Sequence, residues 1–221
     1  MIFRRIRAAF LFVIIVFLLL QVFNGTFFIG GIFGRNKVIV IDPGHGGIDS
    51  GAVSINERYE KDINLDISKK LYERLRLIGY KVILTRDTDE YVDNKERANL
   101  ANKKAARIFL SIHCNSLENS NSTNGIQVLY YPYRESNIDD PQNEILAQNV
   151  LEKMLLNTGV DNKGIVARED LLVLNQTNMP AIIVECGFLS NTNEANLLLT
   201  DEYQDKIVDG IVDGLDKYFN Y

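Results

Sequence analysis

At 221 residues, 46% hydrophobic and 24% charged, the chain can bury one sizeable core but, once its amino terminus is set aside, not two. A formal net charge of −5, with no basic stripe after residue 37, excludes nucleic acid as the main partner. The two cysteines, Cys114 and Cys186, make no disulfide framework and match no structural zinc spacing, so they read as small buried apolar groups.

Residues 1–36 form a unit of their own. Arg4, Arg5 and Arg7 precede an uncharged apolar run over 8–23. At a rise of about 1.5 Å per residue that run covers roughly 24 Å, short of a hydrocarbon core of about 30 Å. The apolar stretch 26–33 supplies the remainder, so residues 8–33 are expected to span the membrane. The basic flank marks the cytoplasmic side and sends everything after it outward. A cleaved signal peptide is the competing reading, but no small-x-small site of the Ala-x-Ala kind follows. The segment is therefore read as an uncleaved signal-anchor, and 37–221 as an exported domain outside the cytoplasmic membrane.

In that domain, the continuous, β-branched apolar run over 38–41 is ended by Asp42-Pro43, the pattern of a strand buried on both faces, expected over 37–42. Gly44, Gly46 and Gly47 bracket His45 in the turn that follows. From Glu60 the apolar residues Ile63, Ile67, Leu71 and Leu75 recur every four positions, predicting a helix that stops near Gly79. A strand is expected over 80–85, a helix over 93–106, a strand over 107–113, and then a polar loop over 115–124. A strand over 125–131, a helix over 144–157, a short strand over 171–174, a buried strand over 181–185 and an amphipathic helix over 203–219 complete the reading. Wholly apolar strands alternating with helices predict an α/β fold, a single three-layer domain with a mostly parallel central sheet and helices on both faces.

Three of these strands end in a polar group that an ordinary core strand does not need. His45 follows the first, His113 ends the third, and Glu185 ends the late one; these are the only two histidines in the chain. A carboxylate at the end of an apolar strand is partly desolvated, which is costly unless it is paired or bound to a cation. Two imidazoles and a carboxylate are the ligand set of hydrolytic zinc sites, which keep a fourth position for water. Spacing leaves Glu57 and Glu60 equally eligible as the carboxylate ligand. Strand alternation turns Cys114 away from the face used by His113, and Cys186 away from that of Glu185.

Four stretches, Asp42-Pro-Gly-His-Gly-Gly47, Glu60-Lys-Asp-Ile-Asn-Leu65, Ser111-Ile-His-Cys-Asn115 and Glu185-Cys-Gly-Phe-Leu-Ser-Asn191, resemble the successive motifs of the zinc-dependent N-acetylmuramoyl-L-alanine amidases. The resemblance covers about 37–221. It implies that His45, Glu60 and His113 bind one zinc ion, with Glu60 chosen over Glu57 because it opens its motif. It further implies that Glu185 is the catalytic base, and that the substrate is the amide joining N-acetylmuramic acid to L-alanine in peptidoglycan. Arg168, Asn115 and Asn191 are candidates for substrate contact; an ion pair of Arg168 with Glu169 or Asp170, and loop capping by the asparagines, explain them as well. An anchor followed by a bare catalytic domain is similar to the germination-specific amidases that prepare spore cortex. With no wall-binding module expected, the membrane segment or an activating or localising protein partner supplies targeting. A zinc peptidase of wall peptides and a non-catalytic anchored wall-binding protein are the alternatives.

Overall fold

The computed structural model describes residues 37–118, 120–132 and 142–220. The expected anchor over 8–33 lies outside them; among the described residues no helix is long and apolar enough to cross a membrane.

Strand β1 (Val38–Pro43) contains the apolar run over 38–41, and its side chains alternate between two cores. Ile39 and Ile41 join one apolar cluster while Val40 joins a second, and all three are fully buried. Helix α1 (Glu60–Leu77) lays Ile63, Ile67, Leu71 and Leu75 into the first cluster, the stripe its four-residue spacing predicts. It leads to β2 (Lys81–Leu84), which pairs parallel to β1. Helix α2 (Asn94–Lys103) begins where the Asp93 carboxylate accepts the Lys95 N–H, and it packs Ala101 into the second cluster. It stops three residues before the predicted end because Ala105 turns into the left-handed region, with φ +47°.

Strand β3 (Ile108–Asn115) pairs parallel to the other side of β1. The chain has thus stepped from β1 to β2 on one side, then across to β3 on the other. Open α/β sheets place their ligands in the crevice left by such a reversal, outside the carboxyl ends of the strands.

Strand β4 (Ile126–Tyr130), helix α3 (Gln142–Thr158), strand β5 (Asn162–Ala167), the short helix α4 (Leu172–Asn175), strand β6 (Ala181–Phe188), helix α5 (Thr192–Leu198) and helix α6 (Asp201–Phe219) follow. Among the described residues the sheet has six strands in the order β2-β1-β3-β6-β4-β5. It is parallel except where β4 runs against β6. Three elements differ from the sequence reading. Residues 172–174 are helical rather than extended, with only Leu171 extended as the N-cap, and their apolar character serves to bury Val173 and Leu174 against the second cluster. Strand β5 was not predicted, since an edge strand with a mixed exposure pattern carries no continuous apolar run. Helix α5 is two turns long and capped by Asn191, too short for periodicity to reveal.

Helix α6 crosses α3 at close range through Gly210 and Gly214. A Cβ added at either would lie 2.6 Å from a backbone Cα of α3, that of Met154 or Val150. Alanine in place of Gly214 gains about 1 kcal/mol of helix propensity, but the clash is with main chain and cannot be relieved by a rotamer. Overpacking typically costs about 1–3 kcal/mol. Gly214→Ala is therefore expected to lower the urea midpoint of unfolding, and an unchanged or raised midpoint would show that the crossing tolerates a methyl.

Candidate metal centre

The carboxyl ends of β1, β3 and β6 and the first turn of α1 meet at one place. His45 stands two residues beyond β1, at φ +60°, in a turn that returns as an isolated bridge between Gly46 and Asp49. Its Nδ1 lies 2.8 Å from the Asp49 carboxylate, which leaves Nε2 facing Glu60 Oε2 at 3.2 Å. On the other side of that carboxylate, His113 Nδ1 lies 3.0 Å from Glu60 Oε1. The two imidazole rings stand edge to face, with centroids 4.9 Å apart.

Glu60 is buried and held on every side. The Cys114 N–H and the Asn64 side chain donate to Oε1, and the Ala52 N–H donates to Oε2. Its own N–H donates to the Ala52 carbonyl, closing the loop that begins at His45. Glu57, the rival in the sequence, is an exposed turn residue at φ +60°.

Burial alone would raise the Glu60 pKa, but hydrogen bonds and charge from His113 and His45 outweigh it and hold the carboxyl well below its usual range. Burial likewise lowers His45, yet Glu60 and Asp49 raise it to about 9, and Glu60 raises His113 against its own burial. The fold thus sets a buried carboxylate between two imidazoles.

One ligand atom from each of His45, Glu60 and His113 can be chosen so that all three lie within 4.8 Å of one another. The surroundings leave no slack. A Cβ on Gly44 would lie 2.3 Å from the His113 ring, and one on Gly51 would lie 2.6 Å from Glu60 Oε2 and 2.7 Å from His45 Cδ2. Two imidazoles and one ionised carboxylate, packed on glycines and oriented by Asp49 and Asn64, are donors suited to a divalent cation such as zinc.

Glu185 is the register partner of His113 across the β3–β6 ladder, with Gln127 of β4 opposite on its other side. Its Oε2 is buried and has no hydrogen-bond partner among the described residues. Desolvation pushes its pKa up to about 7, against the pull of the two histidines and Arg168. Cys114 and Cys186 are free thiols that face the first core cluster, and burial raises both pKa values.

The remaining candidates hold local structure. Arg168 makes a two-pronged ion pair with Asp170, at 2.8 and 2.7 Å, just beyond β5. Asn191 Oδ1 caps α5 through the N–H groups of Asn193 and Glu194. Asn115 Oδ1 accepts the Ser116 N–H where the β3–β6 register shifts. Sequence reasoning assigns no role to Asp49, and it includes Asn64 only as a member of the Glu60–Leu65 stretch; each lies four residues after a histidine or glutamate of the cluster.

An α/β domain that gathers two imidazoles and two carboxylates at the carboxyl edge of its sheet has the build of a hydrolase. The chain belongs to the N-acetylmuramoyl-L-alanine amidase family, whose model matches residues 39–217, and is an enzyme of that class. It is 31% identical over 198 residues to the germination-specific N-acetylmuramoyl-L-alanine amidase of Bacillus subtilis, covering 83% of this chain and 80% of that one. An N-acetylmuramoyl-L-alanine amidase from Clostridium difficile 630 superposes with a TM-score of 0.79 at 39% identity, over 85% of this chain and 98% of that one. The CwlD amidase of Clostridioides difficile, solved in complex with the GerS lipoprotein, superposes with a TM-score of 0.77 at 34% identity, over 84% and 99%. The chain spans 86% of one curated relative and about a third of two others, at 36% and 34%.

Proposed function

We propose that this peptidoglycan amidase is a zinc enzyme in which His45, Glu60 and His113 hold the ion and Glu185 is the general base. The observation that carries the reading is the Glu60 carboxylate lodged between two imidazoles, beside a Glu185 oxygen that is buried without a partner. When bound, zinc acidifies water towards neutral pH and polarises the carbonyl under attack.

The chain's own groups do the rest. His45 and His113 present fixed nitrogens because Asp49 and the Gly44 contact orient their rings. Glu185, with a pKa near 7, is ionised for part of the time at neutral pH and takes the proton of the attacking water on its free oxygen. It then gives that proton to the nitrogen of L-alanine as the amide breaks. The products are a lactyl carboxylate on the sugar and a stem peptide with a free amino terminus. Arg168 is assigned to a substrate carboxylate, for which it exchanges Asp170. Asn115 and Asn191 are assigned to substrate through their amide nitrogens, since their oxygens are committed to backbone.

The basic-then-apolar amino terminus supports an exported catalytic domain anchored by residues 8–33. Likeness to a germination-specific amidase supports a role in spore cortex maturation, and the GerS complex of CwlD supports an activating or localising protein partner. The test is metal analysis of the purified chain together with mass spectrometry of digested peptidoglycan. One zinc per chain and release of intact stem peptides are expected. Shortened peptides would make the chain a peptidase, and intact wall a binding protein.

A further inference from the structure

Two buried arginines lie behind the centre, and neither has a part in the chemistry above. Arg86, two residues past β2, is 2% exposed. Its Nε donates to the Pro43 carbonyl at 3.0 Å, and its Nη1 to that of Thr88 at 3.1 Å. Its Nη2 donates both to the Gly44 carbonyl at 2.9 Å and to the Lys61 carbonyl at 2.8 Å. Arg97 of α2 is 3% exposed. Its Nη1 donates to Asp42 Oδ1 and the Pro43 carbonyl, and its Nη2 to the carbonyl of His45 itself, all at 2.7 Å.

Burying a guanidinium is costly, and Arg86 is given only carbonyls in return. Between them the two arginines hold the carbonyls of three consecutive residues, 43, 44 and 45. The last is a histidine in the left-handed region, where a side-chain-bearing residue stays only if its surroundings fix it. One nitrogen of Arg86 ties the residue before His45 to the residue after Glu60. Lys61 adds a second strap through its Nζ to the Gly47 carbonyl at 2.9 Å. The turn also closes over Arg86, for a Cβ on Gly46 would lie 2.9 Å from its Cδ and Nε.

We infer that Arg86 and Arg97 are positioning residues of the metal centre, a carbonyl clamp that sets the His45 turn against the first turn of α1 so that two ligands from separate segments converge. The inference rests on the zinc reading above. Lysine cannot replace either, because a compact ammonium lacks the planar fork that reaches several carbonyls at once.

The test measures zinc affinity of the full chain, by competition with a chromogenic chelator, in Arg86→Lys and Arg97→Lys, with cooperative unfolding of the metal-free protein as the control. Both variants are expected to unfold cooperatively and to bind zinc about 10–100-fold more weakly, as loss of partners that orient ligands does. Excess zinc is expected to restore part of the hydrolysis. A loss smaller than tenfold in the folded variants overturns the clamp. If Arg86→Lys does not fold, Arg97→Lys decides by the same threshold. If neither folds, the arginines serve the fold as a whole and the assignment falls. A wild-type chain that holds no zinc would instead overturn the zinc reading, and the clamp with it.

Discussion

Glu185→Gln is expected to keep its zinc and to lose about 10²–10⁴-fold in turnover, the range for removing a positioned acid–base group. Glutamine keeps the shape of the side chain and the register of β6 against β3, but can neither take the water's proton nor hand it on. The wild-type rate should rise with pH as Glu185 loses its proton around 7, and the variant should lose that limb. Near-wild-type digestion of cell wall by the variant would remove Glu185 from the reaction.

The same substitution has a second consequence, opposite in sign. A carboxyl whose folded pKa lies above its unfolded value is penalised in the fold when ionised. The penalty is absent below the ordinary value of 4.5 and complete above about 7, so stability falls as pH rises through that window. At about 1.4 kcal/mol per unit, the difference amounts to about 2–3 kcal/mol after allowance for partial exposure. The metal-free glutamine variant is expected to melt above metal-free wild type at pH 8 and alongside it at pH 4. Equal melting at pH 8 would mean that the buried oxygen carries no such strain.

Replacing His113 by alanine is expected to abolish both metal and activity. One of the three proposed ligands would disappear, and zinc affinity should fall by more than the roughly 100-fold upper range seen when only a ligand's supporting partner is lost. The Glu60 carboxylate, buried and fixed by the Cys114, Ala52 and Asn64 donors, would keep His45 as its remaining imidazole partner. Zinc measured in the chelator-washed and reconstituted variant decides the matter. A stoichiometric ion at micromolar zinc would show that His113 is not a ligand.

How much of this was legible beforehand depends on the range of the interaction. The apolar runs of β1, β3 and β6 and the four-residue stripe of α1 appear in the sequence because each repeats within a few residues. Strand alternation was enough to turn Cys114 and Cys186 into the core that they occupy. Strand ends marked His45, His113 and Glu185 as polar groups in apolar company, so much of the candidate site was visible in one dimension.

What only the tertiary structure decided depends on segments meeting. Spacing left Glu57 and Glu60 level, whereas packing buries Glu60 between two imidazoles and leaves Glu57 on a turn. The insertion of β6 between β3 and β4 sets Glu185 beside His113, and no local pattern encodes strand order. Edge strand β5 and two-turn α5 lack enough repeats to show a period. Arg86 and Arg97 read as ordinary charges until the fold wraps consecutive carbonyls around them. A sequence by itself determines which face of each element seeks burial, because that is a property of neighbours along the chain. Which buried groups then share one small volume follows from desolvation and hydrogen bonding between distant segments, and exists only once they are packed.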